Sequence, residues 1–416
     1  MLGVSASAAT LCVNPGGSGG CSSTIGAAVT AAAPNDTITV GKGTYHEDVV
    51  IRKPLSLIAG SANTTIDATG LSNGINVDGH NHPGLAHVSV TGFTVRNANF
   101  EGILVTDSSF VTIANNHVTG NDKSLAITQT GPDCPGLPSY FVMFQGFDCG
   151  EGIHISGVDH STIANNLVEQ NAGGILISDD TASTHDNLIS ANTVQNNPLD
   201  CGITIASHLL IPFLPQQPFR GIYHNTIVGN TSSSNGLKTG EGAGIGIFAA
   251  APGAQNWGNS IVGNTATGNA LPGVAMHSHS PLQNLNDNLI VGNTISKNGA
   301  DSDPGTTVPT GIDVFADEAV GGASPITGTV ITQNIIKGEG IDIAVATSGG
   351  VTVRFNSLFG DVGVANLGTG TVDATLNWWK CSRGPGANGC STATGSGIQT
   401  TPWLTNPFQS TSGSDE

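Results

Sequence analysis

The stretch GIHISGVDHSTIANNLVEQNAGGILIS, residues 152–178, contains the two short patterns that decide the fold. It opens with the glycine-led apolar strand GIHI and closes with a second one, GILI, and between them lies an Ile-x-x-Asn segment, Ile163 to Asn166. Both patterns recur along the chain and alternate, one of each per unit. A repeat of this kind is typical of a solenoid, because a unit of short strands cannot bury its apolar face alone.

The units differ in length but keep their two landmarks. The Ile/Val-x-x-Asn segments end at Asn116, Asn166, Asn192, Asn230, Asn264, Asn293, Asn334 and Asn356. The glycine-led strands begin at residues 102, 152, 174, 202, 244, 273, 311 and 340. The spacing between successive asparagines runs from 22 to 50 residues, so the shortest unit predicts one coil and the longer units carry insertions. We predict a continuous internal core of Ile and Val and an asparagine ladder along one corner.

These repeats resemble those of right-handed parallel β-helix proteins of the pectate-lyase-like and NosD-like class, over residues 11–408. The segment 24–60 resembles the N-terminal cap helix and first strands of that class, and ATLNWWKCSRGPG (374–386) with TTPWLTNP (400–407) resembles its closing segment. The resemblance implies an all-β fold, a single right-handed parallel β-helix with an N-terminal cap helix. It does not define a reaction, because this fold hosts lyases, hydrolases, epimerases and non-catalytic adhesins.

The predicted organisation is one domain over residues 11–408, with a cap at about 11–60, coils at about 61–376 and a C-terminal cap at about 377–408. Residues 1–10 are interpreted as the remnant of a signal peptide or as a tag, and residues 409–416 as a flexible tail. Capping protects the open sheet edge at each end of a solenoid. We expect Trp378, Trp379 and Trp403 to cover the C-terminal end.

The composition narrows the classes of partner. Twelve Lys and Arg face 30 Asp and Glu, a formal charge of -18, which excludes the basic footprint that nucleic acids require. No stretch approaches the ~18 continuous apolar residues of a membrane-spanning helix. Three close cysteine pairs, Cys12/Cys21, Cys134/Cys149 and Cys381/Cys390, predict local disulfides in a secreted, extracellular or periplasmic protein, with Cys201 left over. The oligomeric state stays open.

Strand alternation assigns the two faces of each glycine-led strand. The residues one and three positions after the glycine are apolar and point inward, so those two, four and six positions after it point outward. The outward positions of the middle units carry several titratable side chains, whereas those of the first and last units carry few. The assignment of the sixth position requires the strand to extend that far. The candidate catalytic residues are Glu151, His154, Asp179, Asp180, His208, His277, His279 and Asp313.

The unit at residue 244 places Gly246 and Phe248 between these groups, which suggests a groove with an aromatic floor. The insertions at 122–148, 208–222, 233–243 and 299–310 are expected to wall it, since loops beside a rigid face commonly carry binding function. The candidate substrate-binding residues are Phe248, Phe315, Asp317, Lys238 and Arg220. The early-coil residues Asp67, Asp78, His80, His82 and His87 are interpreted as structural.

Each candidate has an ordinary structural alternative. His277 and His279 fit acid–base chemistry, a solvent-facing role, or a metal site that needs His208 or Asp317 as its third ligand. Asp179 and Asp180 fit a catalytic carboxylate pair or turn caps. Glu151 fits a catalytic acid or a surface turn, and His154 and His208 could tune Asp180 through charge pairing.

The expected function is that of a secreted carbohydrate-active enzyme that cleaves a polysaccharide. We favour a glycoside hydrolase with a carboxylate acid–base pair assisted by histidine and with no required cofactor, because the chain has few cations to neutralise a uronate. The alternatives are a lyase or C5-epimerase with a histidine base and Ca²⁺ held by acidic side chains, and a non-catalytic glycan-binding or surface solenoid.

Overall fold

A computed structural model describes residues 8–121, 127–128, 131–132, 136–141, 150–208, 220–249 and 251–408. Its strands form three long parallel sheets, A, B and C, that run side by side along the chain, and each coil contributes one strand to each sheet in turn. The predicted parallel β-helix is therefore confirmed. A small parallel sheet, Thr184–His185, Ile222–Tyr223 and Asn256–Trp257, lies between sheets C and A, and Ile127–Thr128 pairs antiparallel with Gly131–Pro132.

The strands of sheet A are Thr10–Val13, Asp36–Val40, Leu55–Ala59, Val88–Thr91, Thr112–Ala114, Thr162–Ala164, Leu188–Ser190, Thr226–Val228, Ser260–Val262, Leu289–Val291, Val330–Thr332, Gly350–Arg354, Thr371–Asp373 and Ile398–Gln399. Those of sheet B are Gly43–Tyr45, Thr64–Asp67, Thr94–Arg96, His117–Thr119, Leu167–Glu169, Thr193–Gln195, Thr231–Ser233, Thr265–Thr267, Thr294–Ser296, Ile335–Lys337, Ser357–Leu358 and Trp378–Trp379. Those of sheet C are Val49–Ile51, Asn73–Asp78, Glu101–Thr106, Glu151–Ser156, Gly173–Ser178, Ile203–Ser207, Ile245–Ala249, Val274–Ser278, Thr310–Ala316, Ile341–Ala346, Val362–Asn366 and Thr392–Thr394.

The core is the predicted stack of branched apolar side chains. Ile153, Ile155 and Ile163 of one coil are fully buried, and so are their equivalents in the coils above and below. Fully burying one such side chain contributes about 1.5–3 kcal/mol relative to leaving it exposed. The repetition of this stack along the solenoid explains how a chain with so few aromatic residues forms a stable core.

The predicted asparagine ladder is confirmed. Each buried amide donates to the side-chain oxygen of its equivalent in the next coil, at 2.9 Å from Asn166 to Asn192 and 3.0 Å from Asn192 to Asn230. Two further buried ladders, which the sequence interpretation missed, begin at Asn121 and Asn187. Since every amide in a ladder also satisfies backbone groups, these columns fix the register of the coils.

The N-terminal end is covered by the helix Ile25–Ala31, whose N-cap Thr24 accepts a hydrogen bond from the backbone of Ala27. A short 3-10 helix, Ser18–Gly20, precedes it. At the other end Trp379 is fully buried in the core, whereas Trp378 is half-buried and Trp403 is exposed, so the expected plug is formed by Trp379.

Two of the three predicted disulfides are present, Cys12–Cys21 and Cys381–Cys390. The pair Cys134/Cys149 lies outside the described residues, as do residues 1–7 of the expected leader 1–10 and the tail 409–416. Cys201 is a buried thiol. In the part of the chain that the structure describes, no helix has the length and apolar character needed to cross a membrane.

Candidate functional site

The outward-facing columns of sheet C follow the predicted register through the middle coils. His154 pairs with Leu104 and Leu176, and His277 pairs with Phe248 and Phe315. The rule fails in the unit that begins at residue 340. Two positions after that glycine it aligns Asp342 with Asp313, whereas the structure pairs Ala344 with Asp313. Asp342 lies one outward position earlier, where it accepts a hydrogen bond from the backbone of Gly360.

The outer face of sheet C is more deeply buried than strand alternation suggests. His154, His277 and Asp313 point outward and are nevertheless buried. In the early coils Phe141 packs over this face, with its ring 5.5 Å from that of His154. The strands also end at Ser207 and Ser278, so His208 and His279, at the sixth position, belong to the turns that follow.

Five side chains on four successive coils form one hydrogen-bonded chain, here named the Asp180 network. His154 Nδ1 lies 3.0 Å from Glu101 Oε1, and its Nε2 lies 2.8 Å from Ser178 Oγ. Ser178 donates to Asp180 Oδ2 at 2.5 Å, and Asp180 Oδ1 lies 3.0 Å from His208 Nδ1. Because Ser178 gives its only proton to Asp180, the His154 nitrogen beside it must be the donor in that contact.

The charges of this network favour an ionised carboxylate at its centre. Burial raises the pKa of Asp180, but the neighbouring His208 and His154 outweigh burial and lower that pKa to about 2. Arg220 donates to the backbone oxygen of Asp180 at 2.5 Å, so it holds the turn. The result is an imidazole, His208, that is oriented and polarised by a carboxylate, as in acid–base dyads.

The other two predicted catalytic acids of these coils, Asp179 and Glu151, lie in buried positions. Asp179 accepts from the Ser207 hydroxyl at 2.7 Å and from the backbone of His208 at 2.8 Å, which is the arrangement of a turn cap. Burial raises the pKa of Asp179 to about 7. Glu151 is not on a surface turn but buried at the start of its strand, close to the ligand atoms of Glu101 and His154.

A second group surrounds His277 and is named here the His277 cluster. It comprises His277, His279, Asp301, Asp303 and Asp313. Nε2 of His277 lies 3.3 Å from Asp301 and 3.4 Å from Asp313, and its Nδ1 lies 3.4 Å from Asp303. One imidazole ring therefore bridges carboxylates on both of its nitrogens. Asp303 also lies 3.5 Å from His279 Nε2.

The insertion 299–310 brings Asp301 and Asp303 into this cluster. The hydroxyl of Thr306 accepts from the backbone N–H of Asp301 at 2.7 Å, and the Thr306 backbone N–H donates to the Asp301 carbonyl at 2.8 Å. Asp301 Oδ1 in turn accepts from the backbone of Asp303 at 2.9 Å. This compact turn fixes both carboxylates against the outer face of sheet C. Sequence analysis identified the insertion but neither residue, since nothing in its spacing gives the loop a register.

The pKa values of two carboxyl groups beside His277 are shifted in opposite directions. Burial lowers the pKa of His277, but Asp313, Asp303 and Asp301 outweigh burial and raise that pKa to about 10. Burial and the charge of Asp313 raise the pKa of Asp301 to about 7. The hydrogen bond from His277 lowers the pKa of Asp303, whose side chain is 44% exposed. The cluster thus holds a buried proton acceptor behind an exposed, ionised carboxylate.

His279 complements this arrangement at the surface. Its side chain is 35% exposed, and burial together with the charge of His277 lowers its pKa. It is therefore predominantly neutral at neutral pH and available as a proton acceptor. Asp317 lies in the turn after the next strand, where it accepts from the backbone of Val320 at 3.1 Å.

Two phenylalanines flank His277. The ring centroids of Phe248 and Phe315 lie 5.4 and 5.6 Å from that of His277, both edge-on. Phe248 lies across Gly246, where any Cβ would overlap its ring. An open cavity of about 260 Å³ adjoins Phe315 and Asp317.

Lys238, a predicted substrate-binding residue, is exposed in a turn, where its backbone N–H donates to the carbonyl of Pro198. None of its described contacts reaches the Asp180 network or the His277 cluster.

Among the described residues, three sets of side chains each bring their ligand atoms within 4.8 Å of one another: His277/His279/Asp303, Glu101/Glu151/His154 and His277/Asp301/Asp313. The third partner of the two histidines is therefore Asp303, and not His208 or Asp317 as predicted. Each set includes at least one imidazole nitrogen, which suits transition metals better than Ca²⁺, a cation that prefers oxygen ligands.

Residues 57–295 match the family model described as right handed beta helix region, and the chain belongs to this family. The solenoid is accordingly a right-handed parallel β-helix. No curated protein sequence matches the chain.

Solved structures that share the fold include the following three. The Dettilon tailspike protein has 12% identity and a TM-score of 0.55, over 87% of this chain and 62% of its own. A protein of Geobacillus virus E2 has 11% identity and a TM-score of 0.51, over 79% of this chain and 56% of its own. DFA-IIIase from Arthrobacter chlorophenolicus A6, without its lid and in complex with GF2, has 12% identity and a TM-score of 0.51, over 91% and 95% of the two chains. The chain spans less than two thirds of the first two proteins.

Proposed function

We propose that the protein is a secreted carbohydrate-active enzyme that hydrolyses glycosidic bonds of a polysaccharide between the Asp180 network and the His277 cluster. One observation carries the proposal. Two groups of proton-holding side chains flank the strand Ile245–Ala249, whose outward residues include Gly246 and Phe248. Glycosidases need an acid and a base on opposite sides of the scissile bond.

The spacing of the two groups suits that arrangement. His208 and His279 follow strands that are two coils apart, Ile203–Ser207 and Val274–Ser278. Successive coils lie about 4.8 Å apart, so the two turns are separated by roughly 10 Å. That distance is close to the ~6.5–9.5 Å that inverting glycosidases use to accommodate the attacking water. Phe248, on the intervening coil, would contact the sugar.

The side chains then take distinct roles. Asp303, which is ionised and exposed, removes a proton from the attacking water. His277, whose pKa of about 10 keeps it protonated, donates to Asp303 through Nδ1 and orients that carboxylate, while Asp301 and Asp313 hold the charged ring at its other nitrogen. His208, oriented by Asp180, donates a proton to the glycosidic oxygen as the bond to the sugar breaks. Pairs of groups whose environments drive their pKa values apart commonly mark acid and base roles.

The charge around the site favours a neutral substrate. In the described chain, the ion pairs of Asp301, Asp303 and Asp313 are all with His277 or His279, and the formal charge of the protein is -18. A polyanionic glycan would be repelled by such a surface. The disulfides Cys12–Cys21 and Cys381–Cys390 support an extracellular or periplasmic location. The shared fold does not fix the chemistry, so the proposal rests on these side chains.

A lyase or C5-epimerase is the second candidate, because the lowered pKa of His279 leaves a neutral base that could abstract a ring proton. The two reactions give different products. We would incubate the protein with a panel of neutral and uronic polysaccharides and measure both new reducing ends and the ultraviolet absorbance of unsaturated sugars. Reducing ends without unsaturation support hydrolysis, unsaturated products support the lyase, and the absence of any product from every glycan refutes the proposal.

A further inference from the structure

A second open cavity, of about 400 Å³, lies in the early coils at the edge of sheet C where its strands end. It is larger than the cavity beside Phe315 and contains none of the residues of the two groups described above. Its polar lining comes from His80, Asp107, Ser109, Asp159 and Thr181. Open cavities with a few convergent polar groups are the usual form of ligand sites.

One wall of this cavity is a fixed imidazole–carboxylate pair. His80 Nδ1 lies 2.7 Å from Asp107 Oδ2. The ring of Tyr140 stacks on the His80 ring, with centroids 4.0 Å apart and planes inclined by 20°. Stacking on one side and the carboxylate on the other leave the imidazole little freedom. The sequence interpretation of His80 as merely structural does not account for a pair that faces an open cavity.

The backbone at Asp107 is strained to hold its carboxylate in place. Asp107 has a φ of 41°, outside the regions that non-glycine residues favour. Gly157 lies against it, since any Cβ there would overlap Asp107 Oδ1. That oxygen is buried and has no hydrogen-bond partner in the described chain. Backbone strain of this kind is concentrated at ligand sites, and the exposed part of the Asp107 carboxylate lines the cavity.

A second acceptor faces the same space. Asp159 accepts from the Ser109 hydroxyl at 2.7 Å and also lines the cavity. Carboxylates accept strong hydrogen bonds from hydroxyl groups, and two carboxylates with flanking serine and threonine hydroxyls suit a ligand rich in donors. The formal charge of -18 disfavours an anion.

We propose that this cavity binds a neutral sugar unit through hydroxyl groups donated to Asp107 and Asp159, as a distal binding site for the polysaccharide. The identity of the ligand rests on the proposed function. The cavity lies along the same edge of sheet C as His208 and His279, about five coils, or roughly 24 Å, from the His277 cluster. A polymer lying along the solenoid would contact both places.

The test follows the ring proton signals of His80, assigned through their loss in His80→Gln, in nuclear magnetic resonance titrations. The probes are neutral trisaccharides of glucose, galactose, mannose and fructose. At least one should shift the His80 signals and leave those of His224 in place. Asp107→Asn, which keeps the shape and tolerates a positive φ, should weaken that binding by about tenfold, because it replaces a charged acceptor.

Three results overturn the inference: no trisaccharide shifts the His80 signals, calcium chloride alone shifts them as fully as a sugar, or Asp107→Asn binds as the wild type does. Ser109→Ala is a second, milder variant and should weaken binding in the same direction. The titration does not depend on catalysis. Sugar binding at His80 without cleavage of any glycan refutes only the proposed function, whereas cleavage without binding at His80 refutes only the distal site.

Discussion

Replacing His277 with glutamine should destabilise the protein strongly at neutral pH. The side chain of His277 is only 4% exposed and is surrounded by Asp301, Asp303 and Asp313. Its pKa rises from 6.5 to about 10 on folding, which corresponds to stabilisation on the order of 5 kcal/mol. Removing one partner of a buried ion pair costs about 3–5 kcal/mol, so the two arguments agree. Glutamine keeps most of the packing between the flanking rings and removes the charge.

The pH dependence gives a sharper signature. A raised histidine pKa contributes stability that is fully present below pH 6.5 and is lost as the pH rises through about 10. The difference in unfolding free energy between wild type and His277→Gln should therefore be largest near pH 6.5 and should shrink toward pH 10. It should also shrink in acid, where the aspartates become protonated and no longer repel one another.

Guanidinium unfolding, followed by circular dichroism at several pH values, measures this gap. The matched control is His224→Gln, whose side chain is 51% exposed and should change the free energy of unfolding by less than about 0.5 kcal/mol. Two results would refute the electrostatic role of the cluster. One is a decrease in the free energy of unfolding of less than about 1 kcal/mol for His277→Gln at pH 7. The other is a difference between wild type and variant that stays the same from pH 7 to pH 10.

Three further predictions concern single side chains. In the wild type, cleavage should fall as the pH drops below about 7, because protonated Asp301 no longer helps to hold the charged His277 ring that orients Asp303. Asp301→Asn should lower kcat by about 10²-fold through misplacement of the base and should remove that limb from the pH profile. Asn264→Ala should lower the free energy of unfolding by about 2–3 kcal/mol in denaturant, because it leaves its buried ladder partners unsatisfied. Thr265→Ala, at the exposed neighbour, should be nearly neutral, and equal effects of the two substitutions would contradict the role of the ladder. Gly246→Ala should displace Phe248 and raise KM by about three- to tenfold with little change in kcat, and an unchanged KM would remove Phe248 from the substrate contact.

Most of the fold follows from local patterns in the sequence. The apolar residues that flank each Ile-x-x-Asn segment and each glycine-led strand alternate with period two, and each asparagine has an equivalent one coil away. The ladder that begins at Asn121 carries the same Ile/Val-x-x-Asn signal, at Val118/Asn121 and Val168/Asn171, and was missed because only one such segment was assigned to each unit. The ladder that begins at Asn187 lacks the signal there, since Thr184 stands at the apolar position. The misassignment of Asp342 has another origin: the motif Gly-Ile-Asp occurs at 311 and at 340, but the strand pairing places Ala344 and not Asp342 beside Asp313.

The candidate site could be predicted only in part. His277, Asp313 and Phe315 follow from strand register, because their positions depend on the regular coils. Asp301 and Asp303 do not, since an insertion folds back onto the face and its path is set by tertiary contacts. Burial of the outward face has a similar cause: side chains such as Phe141 come from loops whose position no periodicity encodes.

The most direct test of the account is the release of reducing ends from a neutral polysaccharide by Asp303→Asn. The control is Asp361→Asn, whose carboxylate is 92% exposed and lies far along the chain from the cluster. We expect Asp303→Asn to lower kcat by at least about 10²-fold with little loss of folding stability, and Asp361→Asn to cleave as the wild type does. Unchanged turnover in Asp303→Asn would contradict the placement of the catalytic base in the His277 cluster.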